Sequence, residues 1–110
     1  MKIIVTTIGL VILICSIAQA DMVYGVIKAD GKPVGKGVKI EVLVDTTVVD
    51  RTVTDKKGGY RLMIMGHKQV AFRITYAEQT PVMTVFVYDH PVRYNILLER
   101  IEGQYRARRE

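Results

Sequence analysis

The sequence predicts an all-β chain, a seven-stranded antiparallel β-sandwich, on three observations. Apolar residues recur with period two in several short segments. Turn-forming clusters of Gly, Asp, Asn-like and Pro residues separate those segments at short intervals. No helical periodicity appears between residues 21 and 98.

The first strand is expected at 22–28, MVYGVIK, followed by the turn-rich ADGKPVGKG at 29–37. In 38–44, Val38, Ile40, Val42 and Val44 share one face while Lys39 and Glu41 share the other. The segments 48–54 and 60–65 follow, flanking TDKKGG. In 70–76, Val70, Phe72, Ile74 and Tyr76 alternate with Ala71, Arg73 and Thr75. The run 81–88, PVMTVFVY, is almost continuously apolar, which predicts a strand covered on both faces. In 92–98, Val92, Tyr94, Ile96 and Leu98 alternate with Arg93, Asn95 and Leu97. β-Branched and aromatic residues dominate these segments, as a pleated, half-buried surface favours.

Turn residues are placed by mechanism. Asp30, Gly31 and Pro33 supply one reversal, and Asp55, Gly58 and Gly59 another. Asp55 is expected to accept backbone N–H bonds from the residues just after it, and Gly58 or Gly59 to take positive φ. A phosphate-binding loop needs G-x-x-x-x-G-K-[ST], which Gly58-Gly59-Tyr60 does not supply. Lys56 and Lys57 stand where a calcium loop would place oxygen ligands.

Residues 1–20 read as a cleaved signal peptide: Lys2, an apolar run from Ile3 to Ala18, and the small-x-small site Ala18-Gln19-Ala20. A retained anchor is the alternative, but the run is about 16 residues against the roughly 20 a spanning helix needs. Cleavage after Ala20 leaves 90 of the 110 residues and removes Cys15, the one cysteine. An exported domain without a disulfide points to a bacterial envelope, periplasmic or secreted. The formal charge is +5, or +4 without Lys2. Exported proteins rarely meet nucleic acid, so the basic residues Lys28, Lys32, Lys36 and Lys39 and the late arginines suit anionic head groups or cell-surface polymers, or, as the simpler reading, a solvated surface that keeps the domain soluble. The domain is set at 21–99, with a basic, solvated C-terminal tail at 100–110. Arg100, Arg106, Arg108 and Arg109 in that tail are candidate contacts for an acidic partner or for a peripheral membrane contact.

Gly25, Asp30-Gly31, Pro33-Val34, Gly37, Thr54-Asp55, Gly58, Tyr60, Gly66 and the terminal Leu98 resemble the pattern of the carboxypeptidase regulatory-like, or transthyretin-like, domain family across about 23–99. The resemblance implies a prealbumin-like, Ig-like sandwich and a non-catalytic accessory or surface module. Within that family, 5-hydroxyisourate hydrolases use an early histidine, an inner-strand arginine, a late histidine and a terminal Tyr-Arg-Gly-Ser. Here His90, Arg51 and Tyr105-Arg106 have counterparts, but Tyr24 and Val26 stand in the first strand and Ala107-Arg108 ends the motif. The proton-transfer pair is therefore missing, and no catalytic residues are assigned.

No metal site or cofactor is assigned either: His67 and His90 both fall in predicted turns, and two histidines without cysteine make a poor zinc site. Collagen-adhesin B-type modules join a first-strand lysine to a last-strand asparagine. Lys28 and Asn95 occupy such elements, but alternation turns Asn95 towards solvent. Sugar recognition has no tryptophan platform, although Tyr24, Tyr88, Tyr94 and Tyr105 are aromatic. The expectation is a binding or structural module whose partner is an envelope protein or cell-surface polymer, docking through an exposed strand edge or the basic tail, with a small hydrolase of the 5-hydroxyisourate type as the alternative.

Overall fold

The computed structural model describes residues 20–110; the expected signal peptide, apart from Ala20, lies outside the described residues. Alternating apolar positions generate ten strands, in two sheets, and no helix among the described residues. They are β1 (Ala20–Ala29), β2 (Lys32–Pro33), β3 (Lys39–Val44), β4 (Thr47–Val53) and β5 (Gly59–Met65), then β6 (Gln69–Thr75), β7 (Val82–Phe86), β8 (Val92–Arg93), β9 (Ile96–Ile101) and β10 (Gln104–Arg109).

β1 is the hub of the larger, six-stranded sheet. Its first part pairs antiparallel with β5, and its last two residues pair with β2. Its other flank carries β8 and β9 in parallel, and β10 closes the sheet antiparallel to β9. The smaller sheet runs β4-β3-β6-β7, all antiparallel. The inward side chains of both sheets meet in one core, with Val23, Ile27, Leu62, Ile96 and Leu98 from the larger sheet and Ile40, Val42, Phe72, Ile74 and Val85 from the smaller. Tyr60 meets Phe72 edge-on at 6.0 Å between ring centroids, joining the two layers.

Four expectations are corrected. The chain forms ten strands rather than seven, because the Asp30-Gly31 turn folds back a short β2, the 92–98 segment is interrupted, and β10 is added. The pairing is not wholly antiparallel, because the last long segment returns beside β1 in the same direction. The run 81–88 is not covered on both faces: β7 is an edge strand, and Val82, Phe86 and Tyr88 are exposed while Met83, Val85 and Val87 are buried. Residues 100–110 are not a solvated tail and the folded unit does not stop at residue 99, since β9 continues to Ile101 and β10 pairs with it over its whole length.

The reason for this last structure is local. Glu102 and Gly103 take φ of 51° and 82°, the two-residue turn whose twist matches a hairpin. Beyond it Tyr105 and Ala107 point inward against the core, while Arg106 and Arg108 point outward. The hairpin is then stitched to its surroundings. The Tyr105 amide donates to Gln79 Oε1 at 2.7 Å, the Tyr105 hydroxyl donates to Asp30 Oδ2 at 2.9 Å, and Gln79 Nε2 donates to the Gly103 carbonyl at 3.0 Å.

The alternation in 38–44 holds throughout, with Ile40 and Val42 in the core and Val38 and Val44 packed against it. β4 carries one extra residue, Val49, opposite the Val42-Leu43 step.

Candidate binding surface

The surface is built on the outward side chains of the larger sheet, so the interruption of the 92–101 segment comes first. Val23 lies opposite Val92 and Ile27 opposite Ile96, the same register on either side of the break. A regular parallel ladder would let Tyr94 bond both the Tyr24 carbonyl and the Val26 amide. The first bond is present, Tyr94 N–H to Tyr24 O at 2.7 Å. The second is not: the Tyr94 carbonyl turns inward to accept the Tyr60 hydroxyl at 2.6 Å. Asn95 Oδ1 takes its place, accepting the Val26 amide at 3.0 Å.

Gly25 makes this possible. A Cβ there would lie 2.1 Å from the Tyr94 carbonyl oxygen. Burial pushes the Tyr60 phenol pKa well up, so it stays a donor to that carbonyl across the working pH range. The Tyr94 hydroxyl in turn accepts the Phe86 amide of the opposite sheet at 3.1 Å.

With that segment fixed, rows of side chains cross the outer face. Tyr24 stands between Arg61 of β5 and Arg93 of β8, its direct neighbours in register. The Arg93 guanidinium carbon lies 5.5 Å from the Tyr24 ring centroid. Further along, Lys28 neighbours Leu97, which neighbours Arg108. Arg106 lies opposite Glu99 in the next row. Lys28, Arg61, Arg93, Arg106 and Arg108 therefore stand on or beside one face, with Glu99, Glu110 and, at its border, Asp55 as acidic groups. A groove of about 270 Å³ lies within it, lined by Tyr24, Val26, Lys28, Arg93, Asn95 and Glu110 among others. The smaller sheet differs: its outer Arg73 is held by Glu41 at 2.9 Å, and that contact keeps the Glu41 carboxyl below its usual range.

The candidate tail arginines divide by role. Arg108 forks onto Glu99, with Nε at 2.7 Å from Oε1 and Nη2 at 3.2 Å from Oε2, which lowers the Glu99 pKa. Arg109 lies 3.9 Å over the Tyr94 ring and donates to the Arg93 carbonyl at 2.7 Å. Arg100 stacks at 5.5 Å on Tyr105. Arg106 is exposed and makes no contact of these kinds among the described residues. Three of the four thus hold the hairpin together.

Among the candidate turn residues, Asp55 and Gly59 border this face, lining one cavity with Tyr24 and Arg61. Asp30 and Gly31, at φ 54° and 84°, form the two-residue loop between β1 and β2, and Pro33 lies opposite Lys28. Asp55 Oδ1 accepts the Lys57 and Gly59 amides at 2.9 and 2.8 Å. Gly58 has φ 79° and sits against the Ile27 carbonyl, where a Cβ would come within 2.9 Å. Thr54, buried beside this turn, was not singled out as a site residue. Its hydroxyl donates to the Gly35 carbonyl at 2.6 Å and accepts the Val38 amide at 2.9 Å, tying the 34–37 loop to the start of β3.

The amides of Gly59 and then Lys57 hold the Asp55 carboxyl below the ordinary aspartate range. Such a group adds stability above the unfolded pKa, about 3.9, and loses it as pH falls through the lower folded value. Asp55→Asn keeps an acceptor oxygen but removes the titration. Its urea midpoint is expected to lie furthest below the parent's near neutrality, and the gap to close as pH falls through the lowered folded value. A gap independent of pH would show that the charge is not what the turn uses.

No family model and no curated protein matches the chain. The residues considered for other chemistry form no cluster of three or more His, Cys, Asp or Glu side chains that could hold a metal among the described residues. His90 Nδ1 is 3.1 Å from Asp89 Oδ1 and its ring stacks on Tyr88 at 5.7 Å, all on an exposed loop. His67 lines a separate groove against β4. Arg51 is exposed on the outer face of β4. Lys28 and Asn95 do line one groove, but the Asn95 carboxamide oxygen is committed to the Val26 amide. Asn95 is half-buried within the ladder rather than turned freely to solvent.

Proposed function

We propose that the protein is an exported, non-catalytic β-sandwich module that binds an anionic polymer of the bacterial cell surface through the outer face of its larger sheet. The observation that carries this reading is the Arg61–Tyr24–Arg93 row, with Lys28 and Arg106 beside it, on a face where acidic groups are few. Planar guanidinium groups on a rigid sheet suit carboxylate or phosphate groups spaced along a chain, and the aromatic ring between them adds an amphipathic contact. The likeness to carboxypeptidase regulatory-like domains, and the signal-peptide pattern ahead of residue 21, support the same role and location. The hydrolase reading gains no support, because Tyr24 and Val26 occupy the strand that would need its histidine.

The test is retention on beads carrying polygalacturonate or polyphosphate at increasing salt. The triple change Lys28→Gln, Arg61→Gln and Arg93→Gln is expected to weaken binding about ten- to hundredfold, at roughly 0.5–1 kcal/mol for each exposed ionic contact. The control pair Lys39→Gln and Arg51→Gln, on the smaller sheet, is expected to change it little. Salt-insensitive retention, or equal losses in both variants, would overturn the proposal.

A further inference from the structure

The chain has five methionines. Met1 lies outside the described residues, and Met83 is in the core. The other three are gathered in one place. Met63 and Met65 alternate along β5 on its outward side, 52% and 51% exposed. Met22 of β1 is the direct antiparallel partner of Met63. His67 follows two residues after Met65, past Gly66 at φ 77°, and lines the same groove as Met63 and Met65. Val49, the extra residue of β4, and Asp50 form the far wall of this groove, which encloses about 340 Å³.

Neither Met63 nor Met65 belongs to the packed core. Half of each of two large apolar side chains is left in water, on a sheet whose inward positions already supply a closed core. The groups have a shared chemistry instead. A thioether is a soft, polarisable donor, and soft sulfur ligands select monovalent copper over the harder divalent ions. Residues two apart on a strand are separated by about 6.7 Å, and directly opposed residues have Cβ atoms about 5 Å apart. Long unbranched side chains from such positions can bring their sulfur atoms to one ion from opposite sides. Neutral imidazole is a compatible further donor. No group of three or more His, Cys, Asp or Glu side chains that could hold a metal occurs among the described residues, so these thioethers are not adjuncts of a harder site.

We propose that Met63, Met65 and His67, with Met22 beside them, form a binding site for a soft monovalent cation, Cu(I) or its redox-inert stand-in Ag(I). The site adjoins the basic face, since Met22 and Met63 stand two residues along from Tyr24 and Arg61 on the same outer side of the sheet, but no arginine or lysine is required as a ligand. Asp50 on the far wall adds a favourable charge for a cation.

The test uses the purified protein as the cell produces it, labelled at the methionine methyl groups and titrated with Ag(I). The signals of Met22, Met63 and Met65 are expected to move and saturate at one equivalent, with Met83 unmoved. Competition with a Cu(I) chelator is expected to show at least about a hundredfold weaker binding in Met63→Leu/Met65→Leu, and about tenfold in His67→Gln. Leucine keeps the apolar bulk, and an unchanged melting temperature confirms that the variants are folded. No saturable shift, movement of all methionines alike, undiminished binding by the double variant, or equal competition by Zn(II) would each overturn the proposal.

Discussion

Gly25→Ala is expected to destabilise the protein by about 3 kcal/mol or more, at or beyond the upper end of ordinary overpacking. The added carbon would stand 2.1 Å from the Tyr94 oxygen and 2.6 Å from its carbonyl carbon. Both are backbone atoms, so no side-chain rotation relieves the clash, and β8 and β9 must shift together. A shift breaks the Tyr60 hydroxyl bond and the Asn95 bond to Val26, leaving buried polar groups unpaired. For a domain of this size the melting temperature should fall by more than about 12 °C. Thermal melting read by near-ultraviolet circular dichroism checks this through the tyrosines. A fall of only a degree or two would mean that the carbonyl does not pass over Gly25.

Deleting residues 103–110 is the second large effect. As a free tail, its removal would leave the melting temperature untouched. As β10, it takes away the whole ladder to β9, the packing of Tyr105 and Ala107, the Arg109 contact on Tyr94, and the bond from the Glu110 amide to the Asn95 carbonyl. It also leaves β9 as an unprotected edge. Losing one half-buried aromatic residue and its hydrogen bonds already costs about 3 kcal/mol. Against a total stability of order 5–15 kcal/mol, the shortened chain should be only marginally folded and prone to associate. Unchanged melting would restore the view of 100–110 as a tail. A milder variant, Tyr105→Ala, separates the packing contribution from the ladder and should fall between the two.

Much of the fold was legible because its signal is short-ranged. Alternation in 38–42, 60–65 and 70–75 maps directly onto inward and outward side chains, and Asp30-Gly31 and Asp55 to Gly59 announce their turns. What escaped depends on partners far away in the chain. Nothing near Tyr94 states that its carbonyl will bend towards Tyr60, 34 residues earlier, or that Gly25 leaves room for it. The run 81–88 read as doubly covered because Val82 and Phe86 are apolar, yet their position on an edge leaves them in water. The final hairpin carried a readable sign, Glu102-Gly103 followed by Tyr105 and Ala107 alternating with arginines, but the density of charge suggested solvation instead of pairing.

The candidate surface was legible only as composition. Lys28 and the late arginines were visible as basic residues, but the grouping with Arg61 and Arg93 around Tyr24 requires the register of three strands. The methionines were less visible still, since an alternating Met63 and Met65 read as ordinary strand residues until their exposure and Met22 opposite were known.

The fold turns on the 92–98 segment returning beside β1 in the same direction. Nuclear Overhauser contacts in the isotope-labelled protein test it most directly. Contacts linking Val23 with Val92 and Ile27 with Ile96, in the parallel order, are expected. Contacts running the opposite way, with Val23 near Leu98 and Ile27 near Tyr94, would contradict it.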